Sequence, residues 1–560
     1  MKKKKIIAII MATVLTLSTT ASIVSALDKE DGSVNPAIAQ EETNEESLAT
    51  TSQVLEVPSD FKPLDSQEHN ISTELASSEI VPLREGVEIS EVNFPDEKFR
   101  NYVKNKFDLD EDNFLSAADI AKVTKIDVGA NLGIESLKGI EYFTSLITLD
   151  CEHTRITSLD ISKNTALTIL DCSDTKIISL DVSKNTILKK LDCSWTDITS
   201  LDLSQNTALA ELYCSYTSIT SLDLSKNTAL KRLRCDGTNI TSLDLSKNSA
   251  LEWLFCCGTS IISLDVSKNI ALTKLYCDGT SITLLDLSQN TALTTLDCRN
   301  TKISSLDLSK NIALKWLDCS GTSIISLDVS KNTALTGLRC NGTKIKSLDL
   351  SKNIALTTLY CTNTNITSLD LNQNTALEWL SCGYTNITSL DISKNVALTT
   401  LYCANTKIRS LGLSKNLALT TLYCANTRIK SLDLSKNTAL KELNCHATNI
   451  KSLDISKNIV LTKLYCDSTN ITSLDISKNT QLKTLDCRNT KIKSLDVSQN
   501  ISLEWLSCGY TSIMLLDISK NTALKTLDCR NTNIISLDVS KNIALTTLYC
   551  FDANITSHEM

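Results

Sequence analysis

The sequence predicts a predominantly β fold, a right-handed solenoid of about twenty 21-residue coils preceded by a small α-helical cap. Cysteine recurs every 21 residues from Cys151 to Cys550, at twenty consecutive positions. Around it the unit reads L-x-x-L-x-C-x-x-T-x-I-x-S-L-D-L-S-K-N-T-A, which is the spacing of a leucine-rich repeat. Such a unit buries its apolar edge only by stacking on its neighbours. The array therefore overrides the several globular domains that 560 residues would otherwise suggest.

In chain order, residues 1–26 read as a secretory signal peptide: Lys2 to Lys5, an apolar run from Ile6 to about Leu17, and Val24-Ser25-Ala26 as a small-residue cleavage site. The run is too short to span a bilayer stably, so the chain is not read as an integral membrane protein. Residues 27–87 carry fourteen acidic against three basic side chains and no hydrophobic period, the composition of a disordered spacer. The remainder is close to neutral, and nucleic acid is not an expected partner.

Residues 88–122 are read as the cap. Phe99, Val103 and Phe107 share one face at helical spacing behind Pro95. The chain then enters an EF-hand-like loop with Asp108, Asp110, Asp112, Ser116 and Asp119 at the first, third, fifth, ninth and twelfth positions. Asn113 stands where a turn glycine belongs and Asp119 where a bidentate glutamate belongs, so weak calcium binding is the only cofactor expected. The same residues also read without a metal: Ser116 caps a helix, Asp119 answers three residues later, and the three aspartates form a solvated turn.

The solenoid is assigned to residues 123–560 and opens with a slightly longer unit that has Asn131 at its turn. Alternation through L-x-C and again through L-D-L predicts two short strands per coil, hence parallel strands on both broad sides. At about 4.8 Å per coil, twenty coils would extend on the order of 95 Å. The Thr154 to Thr532 and Asn164 to Asn542 columns are expected to bond turn backbone. Asp160 and its equivalents, interrupted only by Gly412, are read as a hydrated, edge-protecting face. The cysteines are expected to pack as small apolar residues, because their Cβ vectors run in parallel. Cys257, which follows Cys256, is expected to point outward as a reactive thiol.

The segments FPDEKFRNYV, VTKIDV and GIESLKGIEYF, with the acidic loop between the first two, resemble the cap and first repeat of the internalins, secreted leucine-rich repeat proteins of Gram-positive bacteria. The 21-residue units with Cys at a core leucine position resemble the internalin J-like subclass. This resemblance implies a secreted or cell-surface protein that attaches to host or neighbouring surfaces.

All seventeen aromatic residues of the repeats fall on or just after the cysteine strand. Trp253, Trp316, Trp379 and Trp505 sit three residues before a cysteine, and Tyr213, Phe255, Tyr276, Tyr360, Tyr402, Tyr423, Tyr465 and Tyr549 directly before one. These twelve define the expected ligand-binding face for a protein or glycan on a host or neighbouring cell. Arg234, Arg339, Asp297, Asp318, Asp486 and Asp528 share the slot before the cysteine and are expected to tune which partner fits. A cross-strand packing ladder is the alternative use of such aromatics. The rival function is a structural surface protein that self-associates through an uncapped C-terminal sheet edge. No enzyme is expected, since His69, His153, His446 and His558 are scattered and no nucleophile or phosphate-loop motif is present. No C-terminal sorting motif is legible, which leaves the mode of attachment open.

Overall fold

The computed structural model describes residues 85–130, 133–551, 553 and 557–559. The signal peptide and nearly all of the acidic spacer lie outside the described residues. Residues 82–560 form one compact unit.

The cap begins earlier than the sequence pattern placed it. Strand β1 (Gly86–Glu88) pairs antiparallel with β2 (Phe114–Ser116), which draws the end of the expected spacer into the fold. Helix α1 (Glu97–Phe107) starts where Asp96 accepts from the backbone N–H groups of Lys98 and Phe99. Its buried face, Phe99 and Val103, joins the same core as the repeats, so cap and solenoid are not separable layers. Asp96 also accepts from the backbone of Glu135 and Ser136, tying the helix start to the first coil. Helix α2 (Ala117–Lys122) is short and is capped by Ser116.

From Lys125–Asp127 to Thr547–Tyr549 the chain builds a ladder of twenty-one parallel strands. Residue n pairs with n+21 at successive junctions, as in Leu296 with Leu317. The first junction, Ile126 with Leu149, is two residues longer, matching the longer opening unit. Each strand has three residues, and from Thr148–Asp150 to Thr526–Asp528 each buries its central leucine; Leu317, Cys319 and Ile324 of one coil are wholly excluded from solvent, as are their counterparts through the middle of the array. Burial of so many aliphatic side chains, each contributing roughly 1.5–3 kcal/mol, drives the stacking.

The second broad side departs from expectation. Apart from Ser536–Asp538, which pairs with Ser557–Glu559, no L-D-L segment is a strand among the described residues. The serine N–H that a strand would offer the next coil is taken by the local aspartate instead: Ser309 N donates to Asp307 Oδ1 at 2.9 Å. This contact and the serine hydroxyl hold Asp307 below the usual carboxylate range. One ladder therefore closes each coil where two were expected.

The turns are satisfied from within. Thr322 Oγ1 donates to the Cys319 carbonyl at 2.7 Å. Asn332 Nδ2 donates to the carbonyls of Leu308 and Asn311 on the preceding coil, at 3.1 and 2.8 Å. Each ladder asparagine leaves its Oδ1 buried without a donor, so the contact runs in one direction only. Cysteine thiols lie in the core, and Cys319 Sγ donates to the Arg339 carbonyl of the next coil at 3.5 Å. Burial pushes these thiols far up, to about 12 for Cys340, so they stay protonated.

Candidate ligand-binding face

Strand alternation turns the residues flanking each central leucine away from the core, and the n+21 register lines them up in columns. The twelve aromatics of the expected face all lie on this surface. They are half-buried, except Tyr549, which is exposed. Many of them touch. Phe255 stacks on Tyr276 at 4.4 Å with planes 6° apart, and Tyr402 on Tyr423 at 4.7 Å. Trp379 bridges Tyr360 and Tyr402 at 5.9 and 5.5 Å, making a four-ring run across four coils. Cations cover other rings: the Arg232 guanidinium and the Lys274 ammonium lie 4.1 and 4.2 Å from the Trp253 ring. The face thus serves packing as well as presenting ring edges to solvent.

The charged residues of the slot before the cysteine behave differently from expectation. Asp297, Asp318, Asp486 and Asp528 are buried, and each accepts from the backbone N–H two residues on, as Arg299 N does to Asp297 at 3.2 Å. Bound inward in this way, they do not stand at the surface to select a partner. Burial, with Asp318 alongside, pushes the Asp297 carboxyl up to about 7. Arg234 and Arg339 do reach outward, over the Phe255 ring and over the rings of Trp316 and Tyr360.

Cys257 is half-buried rather than free. Its N–H donates to Asp236 at 2.9 Å, and burial together with Asp236 and Asp278 pushes its thiol far upward. A thiol flanked by two carboxylates forms little thiolate, which removes the expected reactivity.

In the cap loop, donor oxygens of Asp108, Asp110 and Asp112 lie within 4.8 Å of one another. Asn113 has φ 62°, the left-handed angle expected of the glycine position. The other two expected ligands are not brought into that group. Ser116 Oγ donates to Asp119 Oδ2 at 2.6 Å while Asp119 N donates back to Ser116 Oγ, so both are spent on capping α2. The residues fit a three-carboxylate site and do not fit a full EF-hand cage.

Four strongly exposed aromatics lie outside the twelve-residue face. Trp195, Tyr216, Tyr384 and Tyr510 are 58, 51, 45 and 52% exposed and sit two residues after a cysteine. Every one has a left-handed backbone, with φ between 54 and 58°. The sequence signal was present: the same column holds glycine or asparagine in eleven other coils.

No family model matches the chain. Among solved structures, the functional domain of InlJ from Listeria monocytogenes, which includes a cysteine ladder, is 35% identical with a TM-score of 0.62, covering 66% of this chain and 82% of that one. The chain belongs to the internalin family. Internalin J of L. monocytogenes serotype 4b is 36% identical over 72 residues, and the match spans 13% of this internalin and 8% of that protein. A plant peptide hormone receptor, RGFR1, at 14% identity and TM-score 0.59, covers 73% of this chain and 79% of its own. A TDR receptor, at 16% and 0.61, covers 79% and 91%; both share the fold alone. Among its described residues the internalin has no helix long and apolar enough to cross a membrane.

Proposed function

We propose that this internalin is a secreted or cell-surface, non-enzymatic adhesion protein of a Gram-positive bacterium, recognising a host or neighbouring-cell protein or glycan through its cysteine-strand face. The observation that carries this reading is the run Tyr360, Trp379, Tyr402, Tyr423, whose rings are held by one another and bordered by exposed Tyr384. Rings already locked by packing lose little entropy when a partner docks. The test is binding of the chain to epithelial cells and to a glycan array, beside a variant with Trp253, Trp316, Trp379 and Trp505 changed to Ala. Loss of binding with an unchanged circular-dichroism spectrum supports the reading. Undiminished binding by the variant rejects it.

A second reading, self-association, is favoured by one specific feature. Ile270, Ile312, Ile354, Val396, Ile459, Ile501 and Ile543 are exposed along the asparagine-turn edge, and Leu417 joins them. Such a ridge suits lateral contact between copies. Multi-angle light scattering decides it: a monomer at high micromolar concentration excludes this role.

A further inference from the structure

A groove of about 600 Å³ runs along the turns that follow the cysteine strands, from Asn363 to Ala447. Its lining is polar: Asn386, Asn405 and Asn426 supply amides, Lys407 and Arg428 supply charge, and Tyr384 forms a wall. The N–H of Lys407 bonds Ile387 O and that of Arg428 bonds Ile408 O, both at 2.9 Å, so these side chains stand one above the other on adjacent coils. Lys407 Nζ is steadied by Asn386 Oδ1 at 2.7 Å. Arg409, Lys430 and Lys451 lie two positions beyond Lys407, Arg428 and Asn449, across the inward Ile408, Ile429 and Ile450, and so face the same side. Among the described residues no carboxylate pairs with Arg409, Arg428, Lys430 or Lys451.

The local charge contrasts with that of the whole chain. Residues 400–441 carry seven basic side chains against one acid, Asp433, a net +6 in a chain of net −8. Within this stretch the outer aspartate column, unbroken from Asp160 to Asp391 and again from Asp433 to Asp538, is interrupted by Gly412. Nothing lies within 4 Å of where a Cβ at Gly412 would stand, so sterics do not demand glycine there. Among the described residues Asp433 and Asp454, three residues after Lys430 and Lys451, form no ion pair with them, so Gly412 removes a negative charge from the stretch rather than a partner of Arg409.

We infer that this groove binds a linear anionic polysaccharide, one bearing sulfate or carboxylate groups. Amides and hydroxyls suit sugar hydroxyls, an exposed tyrosine ring suits the apolar face of a sugar, and guanidinium and ammonium groups suit the anionic substituents. The coil spacing of about 4.8 Å is close to the advance of one pyranose along an extended chain, so charges repeat in step with the ligand. The lining offers no deep apolar pocket of the kind that anchors a protein partner. This surface adjoins the aromatic strand face at Tyr384, while its charged residues Lys407 and Arg428 lie outside that face.

The experiment is calorimetric titration of the full-length chain with a heparin-derived dodecasaccharide, with neutral dextran and single-stranded DNA of matched charge as comparisons. The expected result is heparin binding that weakens with salt, no dextran binding, and weaker DNA binding. Changing Lys407 and Arg428 together to Ala should lower affinity by about tenfold or more. Gly412→Asp should lower it severalfold with an unchanged melting curve, because aspartate is the residue of every other coil. Trp253→Ala should leave heparin affinity unchanged, which separates this site from the adhesion face. No heparin binding at low salt, undiminished binding by Gly412→Asp and the double variant, or DNA binding as tight as heparin would each overturn the inference.

Discussion

The indole of Trp195 stacks on the ring of Tyr216, centroids 4.0 Å apart and planes 21° from parallel, while both residues hold left-handed backbone angles. A bulky L-residue in that region costs roughly 1–2 kcal/mol, and the stack returns about 0.5–1.5 kcal/mol. Tyr384 and Tyr510 share the backbone strain but have no ring partner among the described residues. Tyr384→Asn and Tyr510→Asn should therefore each stabilise the fold by about 1 kcal/mol, and Trp195→Asn should change it little. Guanidinium melts of the three variants check this; destabilisation by both tyrosine variants would contradict it.

Asn332 is bound to two carbonyls of the coil before it and is fully buried. Asn332→Ala should cost about 1 kcal/mol, because each of those carbonyls loses its second donor and keeps only a backbone one, Asn311 N–H on Leu308 O and Leu314 N–H on Asn311 O. The loss is tempered by removal of the orphaned Oδ1. A denaturation midpoint equal to that of the parent would show that the asparagine column is dispensable.

Asp297 gives the stability a pH dependence of defined sign. Its carboxyl is raised to about 7 in the folded chain, whereas an unfolded aspartate titrates near 3.9. Between those values the folded state holds more protons, so stability falls as pH rises from about 4 to 7. Asp297→Asn should flatten the change between pH 5 and pH 8 and raise stability at pH 8 by at least about 1 kcal/mol. Thermal melts across that range decide it, and an unaltered slope in the variant counts against the argument.

For the cap loop, we propose calcium binding no tighter than about millimolar, held by Asp108, Asp110 and Asp112. Asp110→Asn should abolish the calorimetric signal. Asp119→Asn should preserve it, because Asp119 is committed to Ser116 and helix α2. Dependence of calcium binding on Asp119 would restore the full EF-hand reading.

The ladder was legible because cysteine and leucine periods report burial directly: Cys319 and Leu317 have no solvent contact, and their columns admit no polar substitute. The L-D-L side misled because alternation marks which residues point inward without saying which backbone groups pair; there Asp307 competes for the Ser309 N–H. Aromatic residues told where the outward columns lie, and whether Phe255 is free or stacked depended on its neighbour Tyr276 one coil away. The four exposed rings two residues after a cysteine were legible among the seventeen aromatics, and the glycines and asparagines that alternate with them mark their position as a left-handed turn. The basic groove was hidden for a different reason. Lys407, Arg409, Arg428 and Lys430 are spread over two coils in sequence and come together only when register brings the coils side by side.

The constant offset of 21 residues between paired positions has a genetic corollary. Unequal recombination that deletes or duplicates a whole unit rejoins leucine to leucine and cysteine to cysteine, leaving every junction chemically the same. The reading frame of the fold is thus preserved when the gene shortens or lengthens by one unit. The length of the array would change by a fixed increment while the coils carrying the four-ring run or the basic groove pass intact to the new variant.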